Sequence, residues 1–355
     1  MATLSSRPGS AAVEARGLER RYKGGLLAVD GLDLRVDEGE IYAFLGPNGA
    51  GKTTCVRIFT TLLRPTAGQA LVAGHDVRRE PGLVRRAIGV ALQEAALDGL
   101  MTGRELIRLQ GALHGLTRTE ARRRGDELLE RVDIVEAADR RVATYSGGMR
   151  RRLDLALALV NAPRVLFLDE PTTGLDPVSR SALWTEVRRL NDDGTTVFLT
   201  TQYLEEADQL ADRVGIINRG RLEAEGTPAQ LKARVGEPTI AFALATPTPE
   251  CLGEARRALA QFGEVLEADA ETPNVVEVRT AQGAGAIAPA VRALDAHGLA
   301  VEQISVHTPT LDDVFMAVTG HRLAPAEAGP GGADEPPAGD PAADEAADPA
   351  AAAAP

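Results

Sequence analysis

From about Ala11 to Gly236, short apolar runs alternate with longer stretches of helical spacing. Ile41–Leu45, Val165–Leu168 and Thr196–Thr200 are bounded by Gly, Asp or polar residues, the pattern of strands covered on both faces of an α/β sheet. Val13–Ala15 and Leu32–Val36 read as flanking strands in antiparallel pairing. Between about 95 and 160 the period becomes helical, over Glu105–His114, Ala121–Val132 and Arg150–Val160. Thr117-Arg-Thr-Glu120 has the spacing of a capping box, in which the Thr hydroxyl and the Glu carboxylate satisfy each other's backbone N–H groups. This stretch reads as a helical insertion between two halves of the sheet.

Past Glu237 the order changes to strand (Thr239–Ala245), helix (Cys251–Gln261), strand (Glu264–Ala268), strand (Asn274–Thr280), helix (Ala286–Ala296), strand (Ala300–His307). That βαββαβ order predicts a small ferredoxin-like α+β domain over 237–320. Leu311–Thr319 reads as a closing helix. Its Leu311, Val314, Phe315 and Val318 form an apolar stripe. The stripe is expected to pack on the small domain, a partner contact being the alternative. Residues 1–10 read as a loose leader. Residues 321–355 are Ala, Pro, Gly and acids, with too little apolar surface to offset the entropy of ordering, and read as a disordered tail.

Composition sharpens this picture in three ways. Of 355 residues, 44% are apolar but only 3% aromatic, so the core is expected to be built from Leu, Val, Ile and Ala. The net charge is −12, yet seven acids and no base lie in Leu323–Pro355; without those seven it is −5, and no basic stripe points to nucleic acid. Cys55 and Cys251 are too few for a disulfide framework, and no apolar stretch is long enough to span a bilayer. A membrane role would need a partner that does cross.

Gly46-Pro47-Asn48-Gly49-Ala50-Gly51-Lys52-Thr53-Thr54 fits the phosphate-loop pattern, placed after a strand and opening a helix. Its glycines let backbone N–H groups converge on phosphate oxygens, and the helix N-terminus adds partial positive charge. Lys52 is expected to reach the β- and γ-phosphates and the Thr53 hydroxyl to ligate Mg²⁺. Val165-Leu-Phe-Leu-Asp169-Glu170 delivers two acids to a strand tip. Asp169 is expected to hold the metal through water. Glu170, turned away by strand alternation, is expected to act as general base toward the attacking water. Tyr145-Ser146-Gly147-Gly148-Met149 supplies a second capped, glycine-bared helix start in the same chain. One nucleotide does not need two such sites, so a head-to-tail pair of chains is the economical reading.

The phosphate loop, the Ser-Gly-Gly segment, the Asp-Glu strand end and Gly174-Leu-Asp176-Pro together resemble an ABC-type ATPase over about residues 11–236. The resemblance implies an ATP- and Mg²⁺-binding subunit that dimerises around its nucleotides. Within it, Tyr22 stacks on adenine, Gln93 touches metal and water and senses the membrane partner, and Asp176 crosses the dimer interface. Gln202-Tyr-Leu-Glu-Glu-Ala and Thr310-Leu-Asp-Asp-Val-Phe315 are similar to the ATPase subunits of daunorubicin/doxorubicin-resistance exporters. That branch implies drug efflux through a separate ABC-2-like permease, with this chain peripheral on the cytoplasmic face.

Three positions, in two places, depart from the family pattern. Tyr145 and Met149 stand where the signature has Leu and Gln. Gln202 stands where a His usually contacts the γ-phosphate, and Gln cannot carry the proton's charge. Slower turnover is expected, about tenfold or more for a loss of ~1–3 kcal/mol. The helical insertion, with the segment after Gln93, is the candidate permease dock, and charge reversal at Arg104 and Arg108 is expected to uncouple transport. The rival readings are an importer ATPase, a soluble repair or translation ATPase, and a regulatory module that clamps ATP without turnover. The last would be removed by turnover that depends on Glu170.

Overall fold

The structure, a computed structural model, describes residues 11–93, 97–266 and 274–320. The leader, the tail, residues 94–96 and the end of the strand expected at Glu264–Ala268 lie outside the described residues. The first elements are β1 (Ala11–Arg21), β2 (Leu27–Asp37), β3 (Ile41–Leu45), α1 (Lys52–Phe59), β4 (Ala67–Val72), β5 (His75–Asp76), α2 (Pro81–Ala87) and β6 (Ile88–Ala91). There follow α3 (Gly103–Leu113), α4 (Arg118–Arg131), α5 (Gly147–Ala158), β7 (Val165–Asp169), α6 (Pro177–Asp192) and β8 (Thr196–Thr201). Then come α7 (Leu204–Leu210), β9 (Arg213–Asn218), β10 (Arg221–Gly226) and α8 (Pro228–Val235).

The central sheet has the order β10-β9-β3-β8-β7-β6. Its strands run parallel except β10, which returns on β9 through Arg219-Gly220, both with positive φ. β3, β7 and β8 are buried at every residue, which is why they read as continuous apolar runs. Alternation divides their side chains between two cores. Ile41, Ala43, Leu45, Leu166, Leu168, Val197 and Leu199 enter the core shared with the helical insertion. Tyr42, Phe44, Val165, Phe167 and Phe198 enter the core shared with the antiparallel sheet β2-β1-β4-β5. The few aromatics are concentrated there: Tyr42, Phe44, Phe59 and Phe167 all lie within 5.7 Å, centroid to centroid, of Phe198.

The flanking strands are longer than the sequence suggested. β1 and β2 pair antiparallel across their length, but register shifts on both sides of Leu18 break the alternation that would have revealed them. In the insertion, α3 and α4 each open on a capping box, Thr102 with Glu105 and Thr117 with Glu120. α5 begins at Gly147 rather than Arg150, because Ser146 caps it by accepting from Met149 N at 3.2 Å. Arg104 corrects an expectation. Its Nε donates to Asp139 Oδ1 at 2.8 Å and its Nη1 pairs with Asp126, so it braces the insertion internally. Reversing its charge would break that bracket rather than probe a docking surface. Arg108 is exposed and makes no hydrogen bond or ion pair among the described residues.

The remaining elements are β11 (Thr239–Leu244), α9 (Pro249–Leu259), β12 (Glu264–Val265), β13 (Val275–Arg279), α10 (Ile287–Ala296), β14 (Val301–His307) and α11 (Leu311–Thr319). The four strands form an antiparallel sheet in the order β12-β13-β11-β14. Ile240, Phe242, Val276 and Val278 pack with Leu259 and Leu294 into a core of their own.

α11 does not join that core, contrary to the expectation for its stripe. Leu311, Val314 and Phe315 are buried in the first core together with Ala207, Leu210 and Leu231 of α7 and α8. Topology is the reason: β14 runs antiparallel to β11 with His307 opposite Thr239, so the chain re-emerges beside the end of α8. Val318 is left partly exposed. Phe315→Ala is therefore expected to cost about 3–4 kcal/mol of local stability and to speed amide hydrogen exchange in residues 204–235. Faster exchange confined to 239–304 would overturn this packing.

Candidate active site

The phosphate loop leaves β3 at Gly46 and enters α1 at Lys52. It is held rigidly from behind. Gly46 N donates to Thr201 O at 3.2 Å, and Gly220 N donates to Ala50 O at 2.9 Å. Gly51 has φ +106, and a Cβ on it would lie 2.4 Å from Ala28 O, so only glycine fits. No side chain caps α1, which leaves its first N–H groups free to meet an anion. Pro47, Asn48 and Gly49 form the outer rim of the loop, with Asn48 and Gly49 exposed. Cys55, behind it, is fully buried, and burial pushes its thiol up, so it packs as an apolar residue.

Lys52 is 4% exposed, and its Nζ donates to Gly46 O at 2.8 Å and Pro47 O at 3.1 Å. The same ammonium lies 3.2 Å from Glu170 Oε1. Burial lowers its pKa, and the Glu170 and Asp169 carboxylates act against that. Asp169 sits at the tip of β7, 1% exposed, opposite Thr200 in the parallel register. Its Oδ1 accepts from the Thr200 hydroxyl and, at 3.4 Å, from Thr53 Oγ1. Its Oδ2 is buried with no hydrogen-bond partner among the described residues.

Glu170 points away from Asp169 for a different reason from strand alternation. The strand stops at Asp169, and Glu170 takes φ +47, a left-handed conformation costing a non-glycine residue roughly 1–2 kcal/mol. Its N–H donates to Thr200 O and Thr200 Oγ1, both at 3.1 Å, and Thr173 Oγ1 donates to its Oε2 at 3.3 Å.

Two further buried acids escaped the sequence reading. Glu206 on α7 is fully buried, and Trp184 Nε1 donates to its Oε1 at 3.1 Å. Burial raises its pKa, held back by the Thr201 and Trp184 donors. Asp154 on α5 pairs with Arg151 at 3.3 Å. No short motif marks either residue. An acid on an otherwise apolar helix face was the available signal.

The remaining candidates are arranged around this centre. Tyr22 is half-buried; its hydroxyl lies 3.4 Å from Thr54 Oγ1, and the Arg20 guanidinium sits 4.9 Å over its ring. Gln93 follows β6 at an exposed bend, and Gln202 lies at the bend after β8. Neither side chain makes a hydrogen bond among the described residues. Ser146 and Gly147 are exposed, and a Cβ on Gly148 would lie 3.0 Å from Ser179 Oγ. Ser179 in turn donates to Asp176 Oδ2 at 2.6 Å, so the signature turn and the Asp176 cap of α6 are neighbours. The Tyr145 departure has a structural cause. Its ring is buried and its hydroxyl donates to Ala137 O at 2.6 Å, tying the signature turn to the helical insertion.

A family model described as ABC transporter matches residues 29–173. The chain is 49% identical over 309 residues to the daunorubicin resistance ATP-binding protein DrrA3 of Streptomyces coeruleorubidus, covering 87% of this chain and 96% of that protein. The chain belongs to the ABC transporter ATP-binding family. A second relative, the doxorubicin resistance ATP-binding protein DrrA of Mycobacterium tuberculosis, is 43% identical over 314 residues, covering 87% of this chain and 93% of its own. Among solved structures, a dimeric ATP-binding cassette in a post-hydrolysis state bound to ADP and Pi matches with TM-score 0.57 and 28% identity. That match covers 61% of this chain and 98% of the cassette. This ABC ATPase binds ATP and hydrolyses it in service of transport. No helix among its described residues is long and apolar enough to cross a membrane.

The buried acid of α5 gives the ATPase a measurable pH signature. Burial pushes the Asp154 carboxyl from its ordinary 3.8 up to about 6, with Arg151 pulling the other way. A raised folded pKa means the folded state holds the extra proton between those values, so this contribution is full at low pH and is lost as pH rises through about 6. The stability of the wild type minus that of Asp154→Asn is expected to fall by on the order of 3 kcal/mol between about pH 4 and pH 7. Urea unfolding at each pH measures it, and a difference that is flat or rises with pH would contradict the assignment.

Proposed function

We propose that this ATPase powers drug export through a separate membrane permease of ABC-2 type, lying against the cytoplasmic face of the membrane. The supporting observation is the convergence of Lys52, Thr53, Asp169 and Glu170 in one buried centre at the phosphate loop. The drug-resistance names of the relatives support the cargo class.

In this reading Gly46–Thr54 cradles the phosphates and Tyr22 packs on the adenine. Ser146, Gly147 and Gly148 of a second copy close the site, with Asp176 at the seam. The exposure of Ser146 and Gly147 favours a partner in trans. The site also suits Mg²⁺: the orphaned buried Asp169 Oδ2 and the Thr53 hydroxyl are hard oxygen donors, and Gln93 is the third candidate. A bound Mg²⁺ would neutralise phosphate charge. Glu170 orients and deprotonates the attacking water once Lys52 engages the phosphates instead of Glu170. Gln202 donates a hydrogen bond to the γ-phosphate without adding charge. Closing two copies around ATP and releasing them after hydrolysis would drive the permease. We read residues 237–307 as a ferredoxin-like domain appended to the cassette at 11–236, with α11 returning to the cassette's core.

Glu170→Gln is expected to lower steady-state turnover at least ~100-fold while ATP binding is retained. Equal turnover in wild type and variant would sink the assignment. Gln202→His is expected to raise kcat about tenfold, the size of one added charge-assisted contact. The transporter reading is tested by isolating the chain from native membranes in mild detergent. A polytopic permease should accompany it, and Arg108→Glu should weaken that association with ATP binding intact. Recovery with soluble proteins, ribosomes or DNA alone would remove the exporter.

A further inference from the structure

Arg151 lies on α5, five residues past the Ser146 cap, with its side chain only 11% exposed. Its guanidinium donates in three directions at once: Nε to Pro171 O at 2.8 Å, Nη2 to Asp169 O at 2.9 Å and Nη1 to Leu92 O at 2.6 Å. The same Nη1 lies 3.3 Å from Asp154 Oδ2, and Asp169, Glu206 and Glu170 also act on its charge. Two of those carbonyls belong to the residues on either side of Glu170. The Asp169–Glu170 peptide is thereby pinned at both ends, its oxygen by Arg151 and its N–H by Thr200. That plane is one of the two that flank the Glu170 Cα, whose φ is +47. The third carbonyl, Leu92 O, immediately precedes Gln93.

A buried guanidinium is costly to desolvate and is retained where a planar fork of donors must meet several fixed acceptors. We infer that Arg151 is a positioning residue for hydrolysis. It aims Glu170 through the two flanking carbonyls and ties that turn, together with the backbone before Gln93, to the helix whose N-terminus carries the signature. A movement of α5 then reaches Glu170 and Gln93 together. The inference rests on the reading of Glu170 as the base.

The test uses the purified full-length chain. Arg151→Lys keeps the charge but offers one nitrogen where the fork offered three. It is expected to lower kcat about tenfold to a hundredfold, with KM for ATP and equilibrium ATP binding changed less than about threefold. In single-turnover measurements Arg151→Lys/Glu170→Gln should be no slower than Glu170→Gln alone, because Arg151 acts through Glu170. Wild-type kcat in the Lys variant would show that charge alone matters and overturn the inference. So would additive losses in the double variant, or a fall in ATP binding as large as the fall in kcat. If the Lys variant does not melt as a folded protein, Arg151→Gln carries the same comparisons. A Glu170→Gln enzyme as fast as wild type would instead refute the base assignment, leaving an Arg151 effect without its proposed route.

Discussion

Two buried cations, Lys52 and Arg151, stand among four carboxylates, Asp154, Asp169, Glu170 and Glu206, at the edge of the central sheet where its parallel strands end. Ionised groups taken out of water cost several kcal/mol each unless hydrogen bonds and opposite charges replace the solvent. Here the replacement is unequal. Lys52 is satisfied by two carbonyls and Glu170, and Arg151 by three carbonyls and Asp154. Among the described residues Asp169 keeps one buried oxygen with no partner. The cluster holds four carboxyl groups to two cations, and burial raises the pKa of two of them, Asp154 and Glu206.

The scaffold that can carry such a cluster follows from the parallel sheet. β3, β7 and β8 bury both faces, so their tips are held by two cores at once and move little. The candidate site residues sit at those tips: the phosphate loop after β3, Asp169 and Glu170 at the end of β7, Gln202 after β8. α11 adds a third support, because it returns from the last sheet to pack against α7, the helix that follows Gln202 and contains Glu206. The C-terminal segment is thus packed directly against the helix that follows β8.

The motifs were legible because each needs consecutive residues: glycines that free the phosphate loop's backbone, an apolar run that ends in Asp-Glu, a serine that caps a helix. β1 and β2 were only half legible, since their register shifts erase the period of two. Arg151 was invisible for another reason. Its meaning lies in the carbonyls of residues 92, 169 and 171, which belong to other elements and have no signature in the chain around position 151. The ion pairs of Arg104 were not legible, because an exposed-helix pattern does not say that Asp126 and Asp139 will face it.

By itself the sequence determined the family, the phosphate-loop motif and most of the succession of strands and helices, since those depend on local geometry and short spacings. The tertiary structure decided the rest. It set Glu170 in a left-handed turn between Thr200 and Arg151, gave Lys52 a carboxylate partner, buried Tyr145 as an anchor and sent α11 back to the cassette. Each of these depends on which strands pair and in what register, and a one-residue change of register would turn every side chain to the opposite face.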